Sequence, residues 1–152
     1  TAATFTNANI SDMWVRMHPR RKANSVWFIN HELGPQLDVL SIPAGTSALE
    51  PRFVTYGPDG VLRIKGRPVI ELEQCAALGT VGDAILADMS DYLLVSKGGM
   101  QADTSDHVRF IYRERTFRWS RSVNGGPATR SAVSPYKGTA SLSPYVTLAT
   151  RA

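Results

Sequence analysis

The sequence predicts an α+β (mixed α/β) chain: a central β-sheet flanked by two or more helices, with a late β-hairpin. Three observations carry this. Residues 66–97 hold three short apolar runs, Val69–Leu72, Ala84–Ala87 and Tyr92–Val95, each bounded by Gly, Pro or Asp and each of strand length. Residues 7–17 hold the cleanest helical period in the chain. Residues 108–123 alternate aromatic with basic side chains in two runs, the pattern of strands with one face buried and the other charged.

Along the chain, Ile10, Met13, Trp14 and Met17 fall at i, i+3, i+4 and i+7, so Asn7–Met17 presents one apolar stripe, with Ser11, Asp12 and Arg16 facing away. Asn7 or Asn9 is placed to cap its start, Asp12 lies near the positive end of its dipole, and Pro19 stops it. Each stripe side chain contributes about 1.5–3 kcal/mol on burial, so packing holds this helix, and Trp14 is expected to matter most. His18-Pro19-Arg20-Arg21-Lys22 reads as a short, exposed basic turn. Ser25–Ile29 reads as a buried strand, and Asn30 as the N-cap of a second helix carrying Leu33, Leu37 and Leu40, shortened or bent by Pro35.

Residues 41–60 are rich in Pro, Gly, Ser and Thr and read as a long surface loop, with a brief strand near Phe53–Tyr56. Gly79 and Gly82 bracket a tight turn that can take positive φ, and Asp83 leads into the second apolar run. Gly98–Asp106 reads as a polar connection, and Glu114-Arg115 as the tip joining strands Val108–Arg113 and Thr116–Val123. Asn124-Gly125-Gly126-Pro127 is a turn signal, and Leu142–Leu148 holds a last strand begun near Pro144. The polar Gly98–Asp106 segment divides a mixed part, 1–98, from a basic, all-strand part, 99–152, in a chain whose length also suits one compact domain.

With 43% hydrophobic and 20% charged residues, the composition is that of a globular protein, and no run approaches the roughly 20 apolar residues of a membrane helix. No membrane partner is expected. Cys75, the single cysteine, has no internal disulfide partner and reads as an idle thiol. Thr1-Ala2-Ala3-Thr4 has neither an initiator Met nor a signal-peptide pattern and reads as a cut or processed end of a longer protein. The net charge of +4 is uneven: from His107 onward Arg109, Arg113, Arg115, Arg118, Arg121, Arg130, Lys137 and Arg151 face a single acid, Glu114. Such a surface suits phosphate backbones, an acidic neighbour or an intersubunit face.

Catalytic chemistry finds no foothold. Gly79-Thr80-Val81-Gly82 lacks the glycine pair and following helix of a dinucleotide site, and Lys97-Gly98-Gly99 lacks phosphate-loop spacing. Asp103-Thr104-Ser105 follows polar residues, not the hydrophobic strand an aspartic-protease triplet needs. His18, His31 and His107 are scattered, Glu71 and Glu73 read as a solvated strand edge or as partners for nearby arginines, and no Gly-x-Ser-x-Gly elbow occurs. No catalytic residue, cofactor or metal is expected; a binding or building role is.

The strand Gly66-Arg67-Pro68-Val69-Ile70, the turn and strand Leu78-Gly79-Thr80-x-Gly82-Asp83-x-Ile85-Leu86-Ala87-Asp88, the strand Ser90-x-Tyr92-Leu93-Leu94 and the late aromatic and arginine strands together resemble the major capsid proteins of tailed phages, the Hong Kong 97 type. The resemblance runs from about Asn7 to the end and is most specific over Gly66–Tyr92. It implies a carboxy-terminal fragment of a virion subunit, made in host cytoplasm, whose full-length form builds pentamers and hexamers of an icosahedral head shell around phage or prophage DNA. Asn7–Gly98 would supply most of the axial domain; Val108–Val123 and the last strand would lead into the peripheral domain. The 41–60 loop would lie near the symmetry axes.

The amino-terminal arm, extended loop and spine helix of the family have no counterpart here. Nor does the lysine, asparagine and glutamate set with which some members crosslink, so contacts would be non-covalent. The partners implied are copies of itself, with a scaffold or decoration protein as further candidates and non-specific contact with packaged DNA. Interface candidates are Phe53, Tyr56, Arg113, Arg115, Arg118 and Arg121; DNA-facing candidates are Arg109, Arg130 and Lys137. A sequence-independent nucleic-acid-binding module is the alternative, and it needs Phe110, Tyr112, Phe117 and Trp119 exposed on the basic strands, where a core face is expected instead.

Overall fold

The computed structural model describes residues 4–41 and 53–151. The chain forms two compact units, one of Thr1–Asp91 with Thr129–Ala152, the other of Tyr92–Ala128. The expected division at 98/99 does not hold, because Gly98 lies inside one continuous strand, Tyr92–Ser105. Most of the 41–60 loop, residues 42–52, lies outside the described residues.

In the first unit, α1 spans Asn7–Arg16. Thr6, not Asn7 or Asn9, is its N-cap: the Thr6 hydroxyl accepts from the Asn9 amide at 3.4 Å, and the Asn9 side chain accepts from the Thr6 amide at 3.1 Å. Ile10, Met13 and Met17 are buried as the stripe requires, but Trp14 is half-buried. The three buried residues therefore anchor this helix more than Trp14 does, correcting the sequence expectation. Pro19–Asn24 is a 3-10 turn, and its Arg21 is not free: it donates to Asp91 at 2.9 Å and Asp88 at 3.4 Å, two buried carboxylates.

Strand β1, Val26–Ile29, follows. The Asn30 side chain accepts from the Glu32 amide at 3.0 Å and so caps the 3-10 turn His31–Leu33, which runs into α2, Gly34–Ser41. Pro35 sits in the first turn of α2, where its missing N–H is tolerated. Strands β2 (Val54–Tyr56), β3 (Leu62–Ile64), β4 (Arg67–Glu71) and β5 (Ala84–Ala87) come next; β6 and β7 form the second unit, and β8, Tyr145–Thr147, returns to the first.

The six-stranded sheet has the order β2-β3-β4-β1-β5-β8. β1 pairs parallel with β4 and antiparallel with β5, so Val69, Trp27, Leu86 and Val146 form one row across four strands. Trp27, Ile29, Ala84 and Leu86 are fully buried and pack in one core with Phe5, Ile10, Met13, Met17, Leu33 and Leu37. The last strand thus closes the central sheet and does not lead away from it. β3 and β4 are joined by Lys65-Gly66, with φ of 49° and 75°, both in the left-handed region that a two-residue hairpin turn needs.

Gly79 and Gly82 do take positive φ, 86° and 94°. The turn they bracket is organised around Asp83, whose side chain is fully buried, accepting from the Gly79 amide at 2.9 Å and pairing with Arg151. Arg151 is only 13% exposed, so it does not belong to the basic surface. Cys75 lies half-buried beside this turn, and burial pushes its thiol up from the usual range, with the Asp83 charge adding to this.

Removing one partner of a buried pair leaves the other charge uncompensated. Arg151→Leu should therefore cost about 3–5 kcal/mol in urea unfolding at neutral pH, and Asp83→Asn in that background should restore part of it. Unchanged stability of Arg151→Leu relative to the parent would show that the pair holds nothing.

Candidate contact surface

The second unit is a two-stranded antiparallel ribbon of β6 (Tyr92–Ser105) and β7 (Thr116–Pro127). Tyr92–Val95, expected in the central sheet, pairs instead with Asn124–Pro127, the stretch expected to be a turn. Val108–Arg113 is not a strand: Phe110–Tyr112 forms a 3-10 turn at the closed end, after which Arg113 takes φ 56°. Two strands alone are marginal in water, so a ribbon of this length needs cover.

Side chains directly opposite each other share a face, and the register sorts the ribbon into two. One face carries Gln101, Asp103 and Ser105 against Ser120, Arg118 and Thr116, then Lys97 opposite Ser122, Val95 opposite Asn124 and Leu93 opposite Gly126. The other carries Ala102 and Thr104 against Trp119 and Phe117, then Arg121, then Ser96 against Val123, Leu94 against Gly125, and Tyr92. The step from Lys97↔Ser122 to Gln101↔Ser120 uses four residues on β6 and two on β7, so this bulge keeps both strands in phase. Opposite Leu94, a β-carbon at Gly125 would lie 2.7 Å from the Tyr92 ring, which would have to move aside.

The apolar face is open. Leu94 is 68% exposed, Trp119 65% and Phe117 54%, and the Phe117 and Trp119 rings stack with centroids 6.0 Å apart. The expectation that these aromatics line a core face is overturned, because the strands that would have covered them are the ribbon itself. Phe110 and Tyr112, at the closed end, are exposed as well.

The ribbon holds six basic residues and three acids, and each acid takes one arginine. Arg118 donates to Asp103 at 2.7 Å, Arg115 to both oxygens of Asp106 at 2.7 and 3.1 Å, and Arg109 to Glu114 at 2.6 Å. Arg109 also lies over the Tyr112 ring, 5.5 Å from its centroid. Three of the candidate arginines are thus engaged, by Asp103 of β6, by Asp106 just after it and by Glu114 at the tip. Among the described residues Lys97, Arg113 and Arg121 make no ion pair, and Arg121 alone of these stands on the apolar face.

The other candidates lie in the first unit. Phe53 is half-buried under the Lys65 ammonium, 4.2 Å from its ring centroid. Tyr56 is exposed and donates its hydroxyl to Asp38; that hydrogen bond, then burial and the charges of Asp38 and Glu71, hold its pKa above the usual range. Arg130 and Lys137 are exposed in the connection from the ribbon to β8. The DNA-facing candidates are therefore divided between the two units.

The sequence reading missed the open apolar face and Lys97. One signal was available: Gly125 and Gly126, between Asn124 and Pro127, suit a strand interior approached closely by another side chain. Among the described residues no group of three or more His, Cys, Asp or Glu could hold a metal, and no helix is long and apolar enough to cross a membrane.

A six-stranded mixed sheet with packed helices and a separate two-stranded ribbon make an α+β fold. The chain belongs to the phage capsid family, whose family model matches residues 1–138. No curated protein matches it. Among solved structures it is similar to a chain from the capsid of an empty GTA particle computed with C5 symmetry, at 13% identity and a TM-score of 0.56. The match covers 82% of this chain and 41% of that one, so the chain spans less than half the length of this neighbour. The fold is thus a phage-type capsid fold, as the sequence implied.

Hydrogen bonds from Arg115, helped by its charge and opposed by burial, hold the Asp106 carboxyl below its usual range. The stabilisation this pair gives the ribbon tip is present above the unfolded carboxylate pKa and is lost as pH falls through the lower folded value. An NMR titration of Asp106 should therefore give a midpoint below that of an unpaired aspartate, and Arg115→Gln should return it to the ordinary value.

Proposed function

We propose that the chain is a structural subunit of a phage or prophage head, assembling through non-covalent contacts into an icosahedral shell that encloses DNA, and that it performs no catalysis. Family membership supports the capsid role, and the observation that carries the contact assignment is the open apolar face of the ribbon. Leu94, Phe117, Trp119 and Val123 each contribute about 1.5–3 kcal/mol when fully buried, enough for many copies of one modest interface to sum to a stable shell. Other capsid protein is the occupant this face fits, a neighbouring copy first and a scaffold or decoration protein second. Arg113 and Arg121, the interface candidates without an ion pair, would fix orientation at its margin.

Exposed Phe117 and Trp119 also favour a second reading, a sequence-independent platform for single-stranded nucleic acid. Its weakness is charge. The aromatic face offers one cation, Arg121, while Lys97 and the paired Arg118 stand on the opposite face.

Electron microscopy and light scattering of the product of the complete reading frame should show closed shells, with no lysine–asparagine isopeptide by mass spectrometry. The double variant Phe117→Asp/Trp119→Asp should leave small soluble species. Shells that form normally from that variant would remove the ribbon face from assembly. Quenching of Trp119 by oligonucleotides, lost in high salt, would favour the platform instead.

A further inference from the structure

The basic turn His18–Lys22 is a weak signal in sequence, but the fold gives it partners. Two elements distant in the chain meet it at Trp14. Lys22 from the 3-10 turn lies 5.1 Å from the indole centroid, and Lys65 from the β3–β4 hairpin lies 5.8 Å from the same centroid. Arg67, the first residue of β4, donates to the Ala23 carbonyl and so ties the hairpin to the turn. None of Lys22, Lys65 or Arg67 makes an ion pair among the described residues. Burial is the larger cause and the charge of Lys22 the other of a proton affinity at Lys65 below the usual lysine range, and no carboxylate offsets either.

Backbone conformation supplies an independent observation. Lys65 has φ 49°, in a turn position where Gly, Asn or Asp is at ease and a lysine costs stability. A residue that stands against its conformational preference points to a role for its side chain.

We propose that Lys22 and Lys65 over the Trp14 ring, with Arg67 held to the same turn through Ala23, form a phosphate-binding patch for the backbone of duplex DNA. The chemistry selects that class. Like charges without a carboxylate call for a dense polyanion, and duplex DNA presents one charge per roughly 1.7 Å of axis. The indole is half-buried and engaged by ammonium groups, so it is not free to stack on a base, which turns the patch away from single strands. With no base-reading amide or carboxylate in the cluster, binding is independent of sequence. The patch adds a site distinct from Arg109, Arg130 and Lys137; it rests on the shell reading only for the source of its DNA.

The test is binding of a mixed-sequence DNA duplex to the full chain carrying Trp119→Phe, followed by tryptophan emission across salt concentrations. Three phosphate contacts give a log–log salt slope of about −2.7, a weakening of roughly 40-fold between 50 and 200 mM salt. Lys65→Asn should lower affinity roughly tenfold at 50 mM salt and flatten the slope by about 0.9, with a melting temperature equal to or above that of the parent. Lys22→Gln, on a turn outside the hairpin, should lower affinity alike. Unchanged affinity and slope in both variants would overturn the patch, as would equal binding of polyglutamate at the same ionic strength. Shell formation by the two variants, scored on the complete reading frame, separates failure of this site from failure of the shell reading: shells should still close.

Discussion

The pairing of β1 on both sides is the constraint on which the rest of the first unit depends. A four-residue strand contributes little by itself, yet Val26–Ile29 meets β4 along one edge and β5 along the other. That places Trp27 in the middle of a row from Val69 to Val146 and removes it completely from water. A one-residue slip in either pairing would turn Trp27 and Ile29 to the opposite face, so the alternation of this short strand fixes the register of the whole sheet. The helices follow from it. Ile10, Met13 and Met17 on α1 and Leu37 on α2 find their burial in the core that this strand begins.

Local signals explain what was legible. The stripe on α1, the apolar runs of β1, β4 and β5, the glycines before Asp83 and the short final strand all rest on neighbours within a few residues, and all are found. Long-range partners decide the remainder. Tyr92–Val95 is as apolar as the core strands, and only its pairing with Asn124–Pro127 puts it in the ribbon. Gly98–Asp106 is polar because both its neighbours and its own face are solvated, not because it is a connection. β3 escaped notice since three residues between glycines carry no period. Of the candidate surface, the late arginines were visible by count, whereas the acids that engage them come from the opposite strand and the tip.

Charge in this protein is therefore spent in two ways. Asp83, Asp88 and Asp91 are buried, and Arg151 and Arg21 come to them, so these five groups hold the first unit together internally. What remains unpaired is sparse and positioned. Among the described residues the two non-glycine residues with positive φ are Lys65 and Arg113, both cations without an ion pair, one on a hairpin of the first unit and one at the closed end of the ribbon. Turn positions that most chains give to Gly or Asn here present positive charge at the apex of a rigid bend.

The bulge between Lys97 and Gln101 makes the ribbon tolerant of some length changes and intolerant of others. Because β6 carries two extra residues against β7, its phase is preserved through the interruption, and the aromatic half and the Tyr92–Leu94 half look the same way. Loss or gain of a single residue within Gly98–Met100 would set the halves back to back, turning Tyr92 and Leu94 away from the Phe117 and Trp119 side and bringing Leu93 and Val95 to it. Insertions and deletions that survive in such a segment should therefore come in pairs, an arithmetic imposed by the pleat and not by any one side chain.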